Sequence, residues 1–140
     1  LSRFVLDCSV SAAWCLNDES SEAAEKILDR LAGEEAVVPP LWIAEMGNVL
    51  VMAERRGRMT PADASRAVEL VLSLPIQVEF ADLRTLNASR LLAREYELSA
   101  YDASYLELAQ RAGLPLATVD RTLSMAARRC GVPVLPECPE

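Results

Sequence analysis

Short apolar runs alternate along this chain with stretches of helical period. Residues 4–6, 36–38, 76–80, 116–119 and 132–135 are apolar runs of strand length. Between the first two, Ala23, Ile27, Leu28 and Leu31 fall on one face of a helix expected over residues 19–32. Trp42, Ile43, Met46, Val49, Leu50 and Ala53 do the same for a helix over about residues 41–56. Thr60-Pro61-Ala62-Asp63 supplies a cap residue, a proline at the first helical position and an acid three residues after the cap, so a third helix opens there and ends near Pro75. Further helices are expected over residues 82 to about 97, over 99–112 with Gly113-Leu114-Pro115 as its stop, and over about 122–130 with Gly131 as its stop. Strands that alternate with helices build βαβ units, which predicts an α/β fold around a mostly parallel sheet of about five short strands covered on both faces.

The 140 residues suit one domain spanning residues 1–140, without repeats, linkers or low-complexity segments. Apolar residues make up 51% and charged residues 25%, which excludes the disordered classes. No apolar run approaches the ~18 residues of a membrane span, so no membrane partner is expected. The start of the chain carries no basic segment or cleavage site, which predicts a cytoplasmic location. Cys8, Cys15, Cys130 and Cys138 form no C-x-x-C pair and read as buried thiols of a reducing compartment. The acidic, proline-bearing tail, residues 136–140, is expected to fray.

Histidine is absent, which removes Ser-His and Cys-His nucleophile pairs, His-ligated zinc and imidazole acid/base steps. The formal charge of −7 argues against a passive nucleic-acid coat. It leaves room for an enzyme that meets phosphodiesters through bound cations, which invert the local field. Arginine supplies all the basic residues but Lys26. Arg55 and Arg56 with Arg58, and Arg128 with Arg129, form clusters that either grip RNA phosphates or complement helix C-terminal carbonyls. Trp14, Trp42 and Tyr105 either stack on bases, fill a dimer interface or belong to the core.

In a parallel α/β sheet, strand C-terminal ends and helix N-terminal ends share the edge where such folds bind ligands. Asp7 ends the first apolar strand and Asp120 ends the fourth. Glu45 lies early in the helix that follows Pro39-Pro40, and Asp102 in the first turn of the helix that begins at Ser99. Four acids from four distant segments are thus expected on one edge, where they repel one another unless a hard divalent cation neutralises them. Mg²⁺ is the natural candidate, and Mn²⁺ the natural substitute. Such ions activate water and stabilise charge on a phosphoryl group, which allows phosphodiester hydrolysis without histidine.

Val5-Leu6-Asp7-Cys8-Ser9-Val10 with Trp14, Glu45 after Pro39-Pro40, Tyr101-Asp102-Ala103-Ser104-Tyr105-Leu106 and Thr118-Val119-Asp120-Arg121 together resemble the PIN-domain ribonucleases. In particular they resemble the VapC-type toxins of prokaryotic toxin–antitoxin modules. The resemblance spans the chain in order. It implies a three-layer α/β/α fold, Mg²⁺-dependent endoribonuclease activity on an RNA substrate, homodimerisation and a cognate antitoxin that occludes the site. Asp7, Glu45, Asp102 and Asp120 match that family's acidic quartet, as catalytic and metal-holding residues. Ser9 and Thr118 match hydroxyl positions near the metal, Asn48 matches a further supporting position, and Arg121 joins Arg55 and Arg56 as a candidate RNA phosphate contact.

Each acid also has a plainer reading. Asp102 completes a capping box with Ser99, and Asp120 is placed to cap the helix after it. A receiver domain needs paired acids after its first strand and a late lysine, whereas this chain has a single acid there and only the early Lys26. Phosphoaspartyl hydrolases need D-x-D where this chain reads Asp7-Cys8-Ser9, and no Gly-rich phosphate loop is present. A non-catalytic interaction module of the same fold, or a stand-alone RNA-processing nuclease without an antitoxin, stays open.

Overall fold

The computed structural model describes residues 2–137. β1 (Arg3–Leu6) leads into α1 (Cys8–Cys15), a 3-10 turn (Asn17–Glu19) and α2 (Glu22–Arg30). β2 (Glu35–Val38) leads into α3 (Leu41–Arg55) and α4 (Pro61–Leu72), and β3 (Ile76–Val78) into α5 (Arg84–Tyr96) and α6 (Ala100–Ala112). β4 (Leu116–Ala117), α7 (Arg121–Arg129) and β5 (Val134–Leu135) follow. The strands form one sheet in the order β3-β2-β1-β4-β5, every pair parallel.

The chain lays β2 and β3 outward on one side of β1, then returns to set β4 and β5 on the other. Right-handed crossovers place the helices of these two halves on opposite faces of the sheet. The contacts agree: α1 touches α2, α3 and α4, while α6 touches α5, α7, β1 and β4. The result is a three-layer α/β/α protein with a parallel five-stranded sheet. Phe4, Val5 and Leu6 of the central strand are fully buried, as are Val37, Leu106, Leu116 and Leu123 from the elements around them. Among the described residues no helix is long and apolar enough to cross a membrane.

The first helical segment differs from the sequence expectation. The helix expected over residues 19–32 is α2, shorter at both ends, and ahead of it the chain forms a 3-10 turn and a helix that was not expected, α1. The run Cys-Ser-Val-Ser-Ala-Ala-Trp-Cys has no polar face to give it a helical period, because Cys8, Val10, Ser11, Ala12 and Ala13 are all buried. Three strands are also shorter than expected. β3 stops at Val78, level with the end of β2, and Phe80 beyond it is 84% exposed. β4 stops at Ala117: the Thr118 N–H still bonds the Leu135 carbonyl, at 3.1 Å, but the chain then turns, with the Asp120 N–H donating to Thr118 Oγ1 at 3.0 Å. β5 starts at Val134 because the Val132 N–H instead closes α7 through the Ala127 carbonyl, at 2.9 Å, past Gly131 in the left-handed region at φ +81°. Of the tail expected to fray, residues 138–140 lie outside the described residues, and so does Cys138. Cys8 is a buried free thiol, and Cys15 and Cys130 are half-buried ones.

Thr60 and Asp63 form the reciprocal capping box expected of α4. The joint between α1 and α3 is polar and internal: the Trp42 indole N–H donates to Ser11 Oγ at 2.9 Å, with Ser11 fully buried. That joint sets α1, which starts directly after Asp7, against α3, which carries Glu45. Ser11→Ala leaves the indole N–H without its acceptor inside the core. It should destabilise the protein by about 1–3 kcal/mol, read as a lower urea midpoint at unchanged slope.

Candidate functional site

The strand order reverses between β1 and β4, and such a switch point opens a crevice at the carboxyl ends of the strands. Register places the first acid there. Leu6 lies opposite Ala117, so Asp7 and Thr118 leave the sheet side by side, with the Asp7 N–H still bonded to the Ala117 carbonyl at 3.0 Å. Asp7 Oδ2 accepts two hydroxyl bonds, from Ser9 Oγ at 2.6 Å and from Thr118 Oγ1 at 2.7 Å. Those hydroxyl oxygens accept in turn from the Val119 N–H, at 3.2 Å, and the Asp120 N–H, at 3.0 Å. The turn from β4 into α7 is therefore folded onto the Asp7 carboxylate. No described residue donates a hydrogen bond to Asp7 Oδ1.

The other acids come from helix starts. Asp120 is the N-cap of α7, its Oδ1 accepting from the Leu123 N–H at 3.0 Å, so the plainer reading of this residue is correct as far as it goes. Ser99 caps α6 by accepting from the Asp102 N–H at 3.0 Å, which fixes Asp102 in the first turn. Glu45 lies in the second turn of α3, and its Oε1 accepts from the Tyr105 hydroxyl, one turn beyond Asp102 on α6. Sequence reasoning weighed Tyr105 for stacking, an interface or the core, and missed this bond. The available signal was that a fully buried phenol needs an acceptor for its O–H. Trp42 and Tyr105 are buried in the core, and the half-buried Trp14 donates its indole N–H to the Ala24 carbonyl.

The acids feel one another. Burial pushes the Asp7 carboxyl up to about 6; the Ser9 and Thr118 hydroxyls oppose this, and the charges of Asp102 and Asp120 add to it. Glu45 is raised by burial, eased by the Tyr105 hydroxyl, and raised again by Asp102. Asp102 is raised by burial and then by Asp120, with the Ser99 hydroxyl opposing. Even the Cys8 thiol is pushed up to about 12, by burial and then by Glu45 and Asp7, so it stays protonated. None of the ion pairs among the described residues engages any of the four acids.

This donor set suits a hard divalent cation, since every donor is an oxygen and the mutual repulsion lacks a counter-charge. As the side chains lie, no three acidic or thiol groups among the described residues stand close enough to grip a single ion. An ion would have to draw them inward. Beside Thr118 and Asp120 opens a cavity of about 240 Å³ whose walls include Arg121 and Arg128, so Arg121 stands at the acidic edge. Arg55 and Arg56 do not, being at the far end of α3, roughly 15 Å from Glu45 along the helix axis. Asn48 faces a different groove, between α1 and α3, with Val49 and Met52. Arg58 is held by Asp18 and Glu19, and Arg129 lies over the Tyr96 ring.

Fold and site together define an α/β/α protein with a histidine-free acidic edge at the switch point of its parallel sheet. A PIN domain family model matches residues 4–129, and the chain belongs to that family. Within it, the chain is akin to the VapC ribonucleases. It is 30% identical over 138 residues to VapC ribonuclease Mb0985 of Mycobacterium bovis, a match covering 94% of this chain and 98% of the relative. Among solved structures, PAE2754 from Pyrobaculum aerophilum is similar at a TM-score of 0.70 and 29% identity, over 96% of this chain and 84% of that one. A toxin–antitoxin complex from Klebsiella pneumoniae shares the fold at a TM-score of 0.64 and 20% identity, over 94% and 95% of the two chains.

Asp7 generates a pH dependence of stability. The folded protein releases this proton near pH 6, whereas an unperturbed aspartate does so near 3.8. Between those values the folded state binds more protons than the unfolded one, so stability falls as pH rises, and the destabilisation is absent below that window and complete above it. Its size is on the order of 3 kcal/mol. In metal-free protein, Asp7→Asn should therefore melt at or above wild type at pH 7–8 and lose most of the slope between pH 4 and 6. Calorimetric melting across that range checks it, and an Asp7→Asn protein that melts well below wild type at pH 8 contradicts it.

Proposed function

We propose that this chain is a Mg²⁺-dependent endoribonuclease, with Mn²⁺ able to substitute, and that it acts as the toxin of a toxin–antitoxin pair. The observation that carries this reading is the presence of Asp7, Glu45, Asp102 and Asp120 at the switch-point edge with no ion pair to any of them among the described residues. Those four residues would hold the cation, with Asp7 Oδ1 facing the site because Ser9 and Thr118 keep Oδ2. When bound, the cation supplies an activated water and charge stabilisation at phosphorus. Ser9 and Thr118 orient Asp7 and fold the β4–α7 turn against it. Arg121, at the rim of the adjoining cavity, is placed to hold an RNA phosphate through a guanidinium that makes no ion pair among the described residues. Kinship with the VapC ribonucleases supports the substrate class.

Two features of the surface support the proposed protein partners. Between α3 and α4 runs an apolar groove of about 220 Å³, walled by Ile43, Met46, Leu50, Val68, Val71 and Leu72, which suits the apolar face of an antitoxin segment. Phe80, Leu83 and Leu86 are 84%, 90% and 75% exposed and offer an apolar surface for a homodimer. Light scattering should report a dimer at micromolar concentration; a monomer throughout that range removes the dimer.

Antitoxin-free protein should open a circular single-stranded RNA with Mg²⁺ or Mn²⁺ and lose that ability in EDTA. An intact circle beside trimmed linear RNA would make it an exonuclease. Products should carry 5′-phosphate and 3′-hydroxyl ends, because no imidazole is present to activate a 2′-hydroxyl; a cyclic 2′,3′-phosphate contradicts the mechanism. For a millimolar affinity and tenfold excess, Mg²⁺ should stabilise the fold by roughly 1.4 kcal/mol, a rise of a few degrees in Tm that Asp7→Asn diminishes while abolishing cleavage. Equal responses to Mg²⁺ in an Asp7→Asn protein that still cuts RNA would remove Asp7 from the site.

A further inference from the structure

We infer that Tyr105 is a positioning residue whose hydroxyl fixes the orientation of Glu45 at the acidic edge, an assignment that rests on the metal-dependent reading above. Tyr105 is fully buried on α6, three residues after Asp102, and its hydroxyl donates to Glu45 Oε1. Glu45 belongs to α3, on the opposite face of the sheet, so the bond passes over the carboxyl edge and ties the two helical layers together at the site. Packing does not require that hydroxyl. A phenylalanine would fill almost the same space, and a phenol withdrawn from water is costly unless its O–H finds an acceptor. The acceptor here is a carboxylate of the candidate metal site.

The same arrangement recurs at Asp7. Ser9 and Thr118 both donate to Oδ2, and Oδ1 receives no hydrogen bond from a described residue. At Glu45, Tyr105 occupies Oε1, and Oε2 likewise receives no hydrogen bond from a described residue. Each carboxylate is thus held by hydroxyl donors at one oxygen and receives no hydrogen bond from a described residue at the other. A flexible glutamate held this way presents a single oxygen in a set direction, whereas without the bond it distributes over several rotamers. Donors behind a ligating carboxylate typically alter metal affinity or activity by about 10–100-fold when removed.

The test is Mn²⁺ binding to the full chain, followed by the electron paramagnetic resonance of free Mn²⁺, for wild type and Tyr105→Phe. Tyr105→Phe should keep the wild-type circular dichroism, bind Mn²⁺ about 10–100-fold more weakly and lower kcat, with the KM for RNA at saturating metal within about twofold. Unchanged Mn²⁺ affinity in the folded variant overturns the inference, even if the protein melts earlier, because that is the mark of a purely structural hydroxyl. In a Glu45→Ala background, Tyr105→Phe should add less than about twofold; a full further loss means Tyr105 acts elsewhere and also overturns it. If Tyr105→Phe does not fold, wild type carrying ¹³Cζ-tyrosine decides. Mg²⁺ should shift the solvent-protected Tyr105 resonance, and a resonance that stays in place at saturating Mg²⁺ overturns the inference. Wild type that binds no Mn²⁺ overturns the metal-dependent reading itself, a failure told apart because it needs no variant.

Discussion

Like charges brought together at the end of a sheet, with no ion pair to any of them among the described residues, are the constraint around which this structure is arranged. Asp7 is the centre of it. It is a carboxylate 4% exposed at the close of the central strand, and hydroxyl protons rather than a guanidinium or ammonium stabilise it. Neutral donors lower the cost of burying the charge without cancelling it. The site therefore keeps its electrostatic demand, and the raised carboxyls of Asp7, Glu45 and Asp102 are the measure of that demand.

The hydroxyl bonds also transmit this constraint into the fold. Thr118 follows β4 and donates its hydroxyl to Asp7, Ser9 sits in the first turn of α1, and both oxygens accept backbone N–H groups of the turn into α7. Tyr105 joins α6 to α3 over the same edge. Elements that are far apart along the chain thus meet through one polar layer at the switch point, while the apolar layers beneath hold them at fixed distance. Charge elsewhere follows a different rule. Arg3, Arg30, Arg58, Arg66 and Arg111 are paired with acids away from the edge, where they cannot quench the site.

Asp7 and Asp120 were legible because each ends an apolar run whose period and length already mark a strand. Asp102 was legible through the Ser99 cap, and Glu45 through the helix that follows Pro39-Pro40. For Asp120 the capping role and the place at the edge turned out to be compatible, since an N-cap necessarily stands at the mouth of its helix. α1 was not legible, because a helix buried on nearly all sides loses the polar face that makes helical period visible. The start of β5 was not legible either, since it depends on which partner the Val132 N–H takes.

Sequence alone settled the alternation of strands and helices, the parallel sheet that follows from it, the capping box of α4, the Ser99 cap of α6 and the absence of histidine chemistry. Each of these is local: it depends on period, on a few neighbouring residues or on composition. Tertiary structure decided the strand order that puts the switch point between β1 and β4, the hydroxyl pair on one oxygen of Asp7, the Tyr105 bond to Glu45 and the separation of Arg55 and Arg56 from the acids. Those features join residues up to 111 positions apart. No local preference encodes such a pairing; it forms only when burial has excluded water from the edge and left each polar group to find its partner within the protein.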